Sequence, residues 1–451
     1  MIILNKPHTI NSTQIPDKTI PVSNTDFIVS SDASALLGNT TGIVSKPVNT
    51  TLQQKKIASN KRKWQLKRYA EQLMPGTRTS YCMRHLGRSA ETVDLYYDDN
   101  LKNAHYQGLA HCDKPWACPV CSATLSASRA KEVLYALDRW HGASMMLTYT
   151  MHHDRNMKPH EMVKQLRNAL RKLYKDRWGQ KFKKYIGWHK TITALDITYH
   201  DRNGWHIHIH QLVLLDPSKT IIDVMDDEIV KRVVEAELKP QWIKMLQYFG
   251  ADADYEHGLQ CSSEEQFRRE YIAKFGKVPE EKTWTVAHEL TLSTSKRGKH
   301  KVVERGLHPF EILEKSEGKT GNRWAYLWSE YIAFTFRRNQ LTWAPGLKAE
   351  FGIDDLTDEQ VLDADDDEVQ TKQLVYVMPY ILWEAVLHFD ERAKVLNRTI
   401  RYAGDSLKLE AYFKRLWRKY EKYWLKKNAE NKHKQKEWEV GTIWDKSLNF
   451  D

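Results

Sequence analysis

The sequence predicts a mixed α/β (α+β) fold in which antiparallel strands are flanked by helices, and three observations carry that expectation. Short β-branched, apolar runs at Ala143–His152, Thr191–Tyr199 and Trp205–Leu215 have strand character. Longer stretches between and around them carry helix start and stop signals. The last two strands are separated by a short stretch containing Asp201-Arg202-Asn203-Gly204, a turn signal that makes them an antiparallel hairpin.

Residues 1 to about 55, rich in Ser, Thr and Asn without period, are expected to form a disordered arm. Lys55–Arg68 turns basic and is expected to be a helix leading into a cysteine-rich segment, the two together spanning 56–142. Ser122–Trp140 is a helix stopped by Gly142. A main domain over 143–350 then opens on the strand Ala143–His152. The helical stretch Lys158–Tyr185 follows, within a run to Lys190 of eleven Lys/Arg and two acids. After the hairpin come a helix over Asp226–Phe249 and a shorter one, Ser263–Phe275, with Ser262 and Glu265 as a capping box and Gly276 as its stop. Thr283–Ser293 reads as a strand ending in a basic turn, Lys296–Lys301. Asp354–Glu368, with nine acids in fifteen residues, marks an acidic linker over 351–369. Residues 370–451 form a helical, basic C-terminal region, with Leu409, Phe413, Leu416, Tyr420 and Trp424 at helical spacing.

Composition narrows the function classes. The 451-residue chain carries 69 Lys+Arg against 58 Asp+Glu, a net charge of +11 that favours a polyanion partner. Sixteen Trp and 21 Tyr add stacking surfaces, although most aromatic residues fill cores. No apolar run approaches membrane-spanning length, and the start MIILNKPHTI lacks a signal-peptide pattern, so a cytoplasmic protein is expected. In a reducing compartment the five clumped cysteines point to metal before disulfides.

Trp205-His206-Ile207-His208-Ile209-His210 alternates with period two, which puts three imidazoles on one face of a strand. A buried row of imidazoles needs a row of partners, so a shared divalent ion accounts for it better than packing does. A three-residue loop Arg202-Asn203-Gly204, with Gly204 left-handed, would pair Asp201 with Trp205 and hence Asp196 with His210. Asp196 then shares the histidine face. A carboxylate with imidazoles suits Mg²⁺ or Mn²⁺. Cys118-x2-Cys121 fits one edge of a tetrahedral Zn²⁺ site, with Cys112 and Cys82 (or His85, His111) completing it. A reduced structural cysteine pair is the plain alternative, and Cys261 stands apart. Phe267, Tyr271 and Phe275 share a helical stripe, in which Tyr271 is either one more core aromatic or a nucleophile helped by Lys274 one turn on.

Together these motifs resemble a known family. Gly204-Trp205-His206-Ile207-His208-Ile209-His210 is similar to the histidine motif of the HUH endonucleases, and more closely to that of the rolling-circle plasmid replication initiators. On that likeness the metal pair is His208 and His210. His206 occupies the variable site, Ile207 replaces a usual proline, and Asp196 matches an acidic third ligand. Met146–Thr150 resembles the family's first conserved strand, and Cys82 with Cys112, Cys118 and Cys121 its cysteine pattern. Tyr271-Ile272-Ala273-Lys274-Phe275 resembles the nucleophile helix, with Phe275 where many members have tyrosine and without their glutamate; Glu270 or Glu265 could serve in its place. The likeness runs from about Cys82 to Leu313 and includes Gly306–Phe310.

The resemblance implies a central antiparallel sheet of the HUH type, with Tyr271 and Lys274 on a helix over the histidine face. It implies a site-specific nickase that starts rolling-circle replication through a 5′-phosphotyrosine, using catalytic Mg²⁺ or Mn²⁺ and structural Zn²⁺. Its partners would be origin DNA, single-stranded or extruded, and the host helicase and replication machinery; a homodimer is compatible with it. The rival readings are an HUH transposase or mobilisation relaxase, and a non-enzymatic zinc-containing DNA-binding regulator.

Overall fold

The computed structural model describes residues 52–88, 90–263, 306–367 and 372–446. In chain order, α1 (Leu52–Leu73) and the single turn α2 (Arg78–Tyr81) precede a hairpin of β1 (Thr92–Asp98) and β2 (Asn103–Gln107). Next come α3 (Pro119–Arg139), β3 (Ala143–Tyr149), α4 (Pro159–Lys175), α5 (Arg177–Tyr185), β4 (Trp188–His200) and β5 (Gly204–Leu215). Two helices, α6 (Asp227–Val233) and α7 (Lys239–Tyr248), lead to β6 (Leu259–Ser263). Then follow α8 (Pro309–Ser316), α9 (Arg323–Thr335), β7 (Leu341–Trp343), α10 (Leu347–Glu350) and α11 (Asp358–Asp367). The chain continues through β8 (Gln373–Pro379), α12 (Tyr380–His388), α13 (Arg392–Arg401) and α14 (Ser406–Lys446).

The chain is mixed α/β, as expected, with two antiparallel sheets. The larger has the order β6-β3-β5-β4-β7 and the smaller the order β2-β1-β8. Strand periodicity divides the large sheet's residues cleanly. Odd-numbered side chains of the three long strands, including Leu147, Tyr149, Leu195, Ile197, Trp205, Ile207 and Ile209, join a core with α4, α7, α8 and α9. Even-numbered ones at the other end, Met146, Ile192, Ala194, Leu212 and Leu214, pack with Ala130 and Val133 of α3. The even positions left over toward the hairpin turn are Thr148, Asp196, Thr198, His200 and the three histidines of β5.

Several local expectations are corrected. The β4–β5 register pairs His200 with Gly204, Thr198 with His206, Asp196 with His208 and Ala194 with His210. The loop is therefore Asp201-Arg202-Asn203, two residues out of the expected pairing. Because the shift is even, Asp196 keeps the histidine face, opposite His208 rather than His210. Gly204 is left-handed, with φ +77°, but as the first strand residue. The helix expected over Lys158–Tyr185 is broken at Asp176, whose backbone is extended (φ −66°, ψ 155°). That expected over Asp226–Phe249 is interrupted by a π-helical turn at Val234–Leu238, just ahead of Pro240, which cannot donate to an α-helical ladder. Ser262 and Ser263, expected as cap and first residue of a helix, instead end β6, opposite Met146 and Met145. The rest of that helix, with Tyr271 and Lys274, lies outside the described residues, as do the strand Thr283–Ser293, the turn Lys296–Lys301 and the arm up to residue 51.

β8 has no counterpart in the sequence reading. It pairs with β1 from Thr92↔Pro379 to Tyr97↔Gln373, so residues beyond 370 complete the sheet beside the cysteines. Leu409, Phe413, Leu416 and Tyr420 of α14 are buried in the same core as Cys82, Cys112, Cys118 and Cys121. Among the described residues no helix is long and apolar enough to cross a membrane.

The turn that presents the histidines depends on Gly204. A Cβ there would sit 3.0 Å from Arg155 Cα and 3.2 Å from Asp154 O, on a left-handed backbone. Gly204→Ala is expected to destabilise by about 1–2 kcal/mol or more, read from urea unfolding. At Gly250 (φ +71°) nothing lies within 4 Å of such a Cβ, so Gly250→Ala should cost less. Equal losses at the two positions would show that the contact with residues 154–155 does not constrain the turn.

Candidate metal centres

Asp196 of β4 and His208 and His210 of β5 meet because neighbouring strands set their Cβ atoms side by side on one face. Asp196 and His210 are buried and His208 is half-buried. Asp196 Oδ2 lies 3.1 Å from His208 Nε2 and 3.5 Å from His210 Nε2. Ligands with bonds near 2.1 Å are about 3 Å apart at adjacent octahedral corners and about 3.4 Å apart at tetrahedral ones, so this spacing fits a divalent ion of either geometry. Thr148 Oγ1 of β3 lies 2.9 Å from His210 Nδ1. If that nitrogen carries the proton, Nε2 keeps its lone pair for an ion, the outer-shell arrangement common to histidine ligands. Ile197 N–H donates to Asp196 Oδ1 at 2.9 Å, which fixes the carboxylate plane.

His206 is not part of this trio. Its ring stacks on His153 at 4.7 Å and an interplanar angle of 4°, with His208 at 5.0 Å and His200 at 6.1 Å. Burial, followed by the charges of His208, His153 and His200, pushes its pKa down to about 3, so the imidazole is neutral. His153 and His200, each lowered mainly by burial, were not singled out from the sequence, although His153 lies four positions past the end of β3 and His200 ends β4. Gly306 approaches His200 so closely that a Cβ would be 2.5 Å from Nε2. Leu307 exchanges two backbone hydrogen bonds with Tyr199 (2.8 and 2.9 Å), which sets Gly306–Phe310 at the histidine end of β4.

The second centre is built from four cysteines. Cys82 follows α2, Cys112 lies beyond β2, Cys118 caps α3 and Cys121 sits in its first turn. All four are buried. Sulfur separations are 3.6 Å for Cys82–Cys121, 3.7 Å for Cys112–Cys121 and 3.7 Å for Cys82–Cys118. Tetrahedral Zn²⁺ with bonds near 2.3 Å requires about 3.8 Å, and no disulfide competes for these thiols. Burial alone would raise the Cys118 thiol. Its hydrogen bonds with Cys112, Cys121 and Cys82 hold it well below the ordinary range, while Cys82 and Cys121 are pushed well above it by contacts within the same cluster and by burial. Cys82 is therefore the fourth thiol of the group that could hold an ion; His85 instead meets Tyr380 Oη at 3.2 Å, and His111 Nδ1 lies 3.9 Å from Cys121 Sγ. Cys261 stands apart in β6, its thiol pushed up to about 12 by burial.

The chain is similar to Protein rep of Streptomyces lividans, 25% identical over 314 residues, a match that takes in 55% of this chain and 65% of that protein. The chain thus spans just under two thirds of that relative's length. No family model matches. No solved structure matches.

The two centres make separable predictions. Purified protein is expected to carry one Zn²⁺ per chain by elemental analysis, and Cys118→Ser to lose it together with thermal stability. Asp196→Asn should leave that zinc in place and weaken Mn²⁺ binding, followed by calorimetry, at least tenfold, since even outer-shell changes cost 10–100-fold. Zinc-free wild-type protein of undiminished stability, or Mn²⁺ affinity indifferent to Asp196, would remove the corresponding centre.

Proposed function

We propose that the chain is a replication initiator of the HUH type, a metal-dependent endonuclease that nicks one strand of origin DNA and starts rolling-circle replication. The observation that carries this reading is the convergence of Asp196, His208 and His210 on one face of an antiparallel sheet. The partial likeness to a protein named rep and the net charge of +11 agree with a DNA substrate. An ion at the trio would polarise the scissile phosphate and stabilise its developing charge.

The chain's own part is nucleophilic. The phenol oxygen of Tyr271 attacks phosphorus, a new P–O bond forms, the bond to the 3′ oxygen breaks, and that oxygen leaves with a proton as a 3′-hydroxyl. The 5′ end stays on the protein as a phosphotyrosine, so rejoining needs no nucleotide cofactor. Lys274 holds the phosphate and favours the phenolate. Reach supports this assignment. Ser263 ends β6 two strands from β5 and three residues along from the level of His210, about 14 Å by strand spacing and rise. The eight residues from there to Tyr271 span about 12 Å as a helix, to which the tyrosine side chain adds its own length, and at most about 27 Å extended. The Cys82–Cys121 centre is assigned as structural zinc.

The test uses supercoiled plasmid carrying this protein's own coding region, with Mn²⁺ or Mg²⁺, and a denaturing gel that reports covalent protein–DNA adduct. Wild type should form a metal-dependent adduct. Tyr271→Phe should lower it by at least a hundredfold, and His208→Ala similarly. Tight DNA binding with no adduct in any metal would favour a non-enzymatic regulator. Joining of unrelated ends without priming of synthesis would favour a transposase or relaxase.

A further inference from the structure

On the odd-numbered face of the main sheet, away from the histidines, a cleft of about 540 Å³ opens between α4, α5 and the β4–β7 edge. Its size falls in the range of small-molecule sites. Four cations line it, Arg167, Arg171 and Lys175 of α4 and Lys183 of α5, and no carboxylate does. The first three are four residues apart, so they stack on one side of the helix, where like charges at that spacing repel. Among the described residues none of the four makes an ion pair with a carboxylate, whereas Lys172 on the same helix pairs with Asp176. Lys183 instead lies over the rings of Tyr174 (4.7 Å) and Trp188 (5.5 Å). Partial burial, and then the nearby Arg338, lowers the pKa of Arg167.

The floor is polar where the sheet's packed face should be apolar. Along β5 the odd side chains run Trp205, Ile207, Ile209, Gln211, Val213 and Leu215, and Gln211 alone breaks the series. It is buried and donates to Thr193 Oγ1 at 3.1 Å, while its Oε1 has no hydrogen-bond partner among the described residues. Gln340 Nε2, also on the lining, is in the same position. The unmet Gln340 amide N–H beneath a ring of uncompensated cations suits an anionic occupant, and Gln211 would add a second donor with its amide turned over, Nε2 outward and Thr193 Oγ1 donating to Oε1.

We propose that this cleft is a phosphate-binding site on the face of the sheet opposite the Asp196–His208–His210 trio. Its occupant is a phosphodiester of a DNA strand or the phosphate of a free nucleotide. The strand source rests on the nicking reading, and the phosphate chemistry does not. Arg167, Arg171 and Lys175 supply a row of donors, and Lys183 a point charge held in place by two aromatic rings.

The experiment compares the full-length wild-type protein with the triple variant Arg167→Gln/Arg171→Gln/Lys175→Gln. A second triple variant, Arg177→Gln/Lys181→Gln/Lys184→Gln, makes the same charge change on exposed residues of α5 outside the cleft. Oligothymidylate binding is followed by fluorescence anisotropy across a salt series without divalent ion, and thymidine monophosphate binding by calorimetry. For a strand site, the cleft variant should bind the oligonucleotide at least tenfold more weakly. Its log–log salt slope should be flatter by about 2, at about 0.7 per lost contact, and the control variant should change much less. For a free-nucleotide site, thymidine monophosphate should bind wild type and not the cleft variant. Removing repelling charges should not lower the melting temperature, which separates lost binding from lost folding. Equal losses in the two triple variants, or no change in either ligand, would overturn the proposal. Binding is measured without strand cleavage, so an absent covalent adduct leaves this result standing, and the reverse also holds.

Discussion

Everything at the trio depends on how β4 lies against β5. Twelve residue pairs run from Trp188↔Leu215 to His200↔Gly204, and each fixes which side chains face which way. Because strand side chains alternate, a slip of one residue would send Asp196 into the apolar core, while a slip of two merely changes which histidine it opposes. The odd face is what forbids the odd slip. Ile197, Ile207 and Ile209 are all buried against the helices, and exposing them would cost roughly 1.5–3 kcal/mol each. A hydrophobic face on one side of the sheet thus sets the coordination geometry on the other.

A second constraint ties the two cores together. Trp64 of α1 belongs to the core that holds the cysteines, while Leu66 and Ala70 belong to the core under the main sheet. The helix is anchored by charge as well. Glu71 accepts from Lys67 (2.6 Å) and from Arg392 (2.6 and 3.1 Å), with Arg84 at 3.2 Å. Burial alone would raise the Glu71 carboxyl, but Arg392, followed by Lys67, keeps it below the ordinary carboxylate range. A buried charge is tolerated when its partners are buried with it, and Lys67, fully buried, also donates to Thr79 O at 2.8 Å, close to the cysteine cluster.

These features explain which parts of the molecule were legible in the sequence. Period-two alternation made the His206–His210 strand plain, and the close spacing of Cys118 and Cys121 did the same for the thiol cluster. Both signals are local, and both come from side-chain geometry that does not depend on the rest of the chain. The choice of Cys82 over His85 or His111 was not local, since it depends on how α2 packs against α3. α1 read as a basic helix, yet its Arg62 and Lys67 are buried, because Arg62 pairs with Glu314, some 250 residues on, and Glu71, the partner of Lys67, is itself held by the distant Arg392. β8 was missed for a related reason. Its partner β1 lies some 280 positions earlier, and its own residues, Gln373 to Pro379, alternate only weakly. The exclusion of His206 from the trio follows from its ring stacking on His153, a contact between separate parts of the chain that the alternation of β5 does not signal.

The pairing of β1 with β8 has a topological consequence. Both strands and the helices around them form one core, and the whole main sheet, from β3 to β7, is spliced between them. The sheet that bears the histidines is thus a cassette whose entry and exit are both anchored in the cysteine-bearing module. Any unit exchanged for it would have to match the end-to-end distance and also the surface that buries Leu66 and Ala70 of α1 and supplies Glu314 to Arg62, if the host is to stay intact. Removal of the chain beyond residue 372 would open the host first, since β1 would lose one of its two neighbours and expose an unpaired edge.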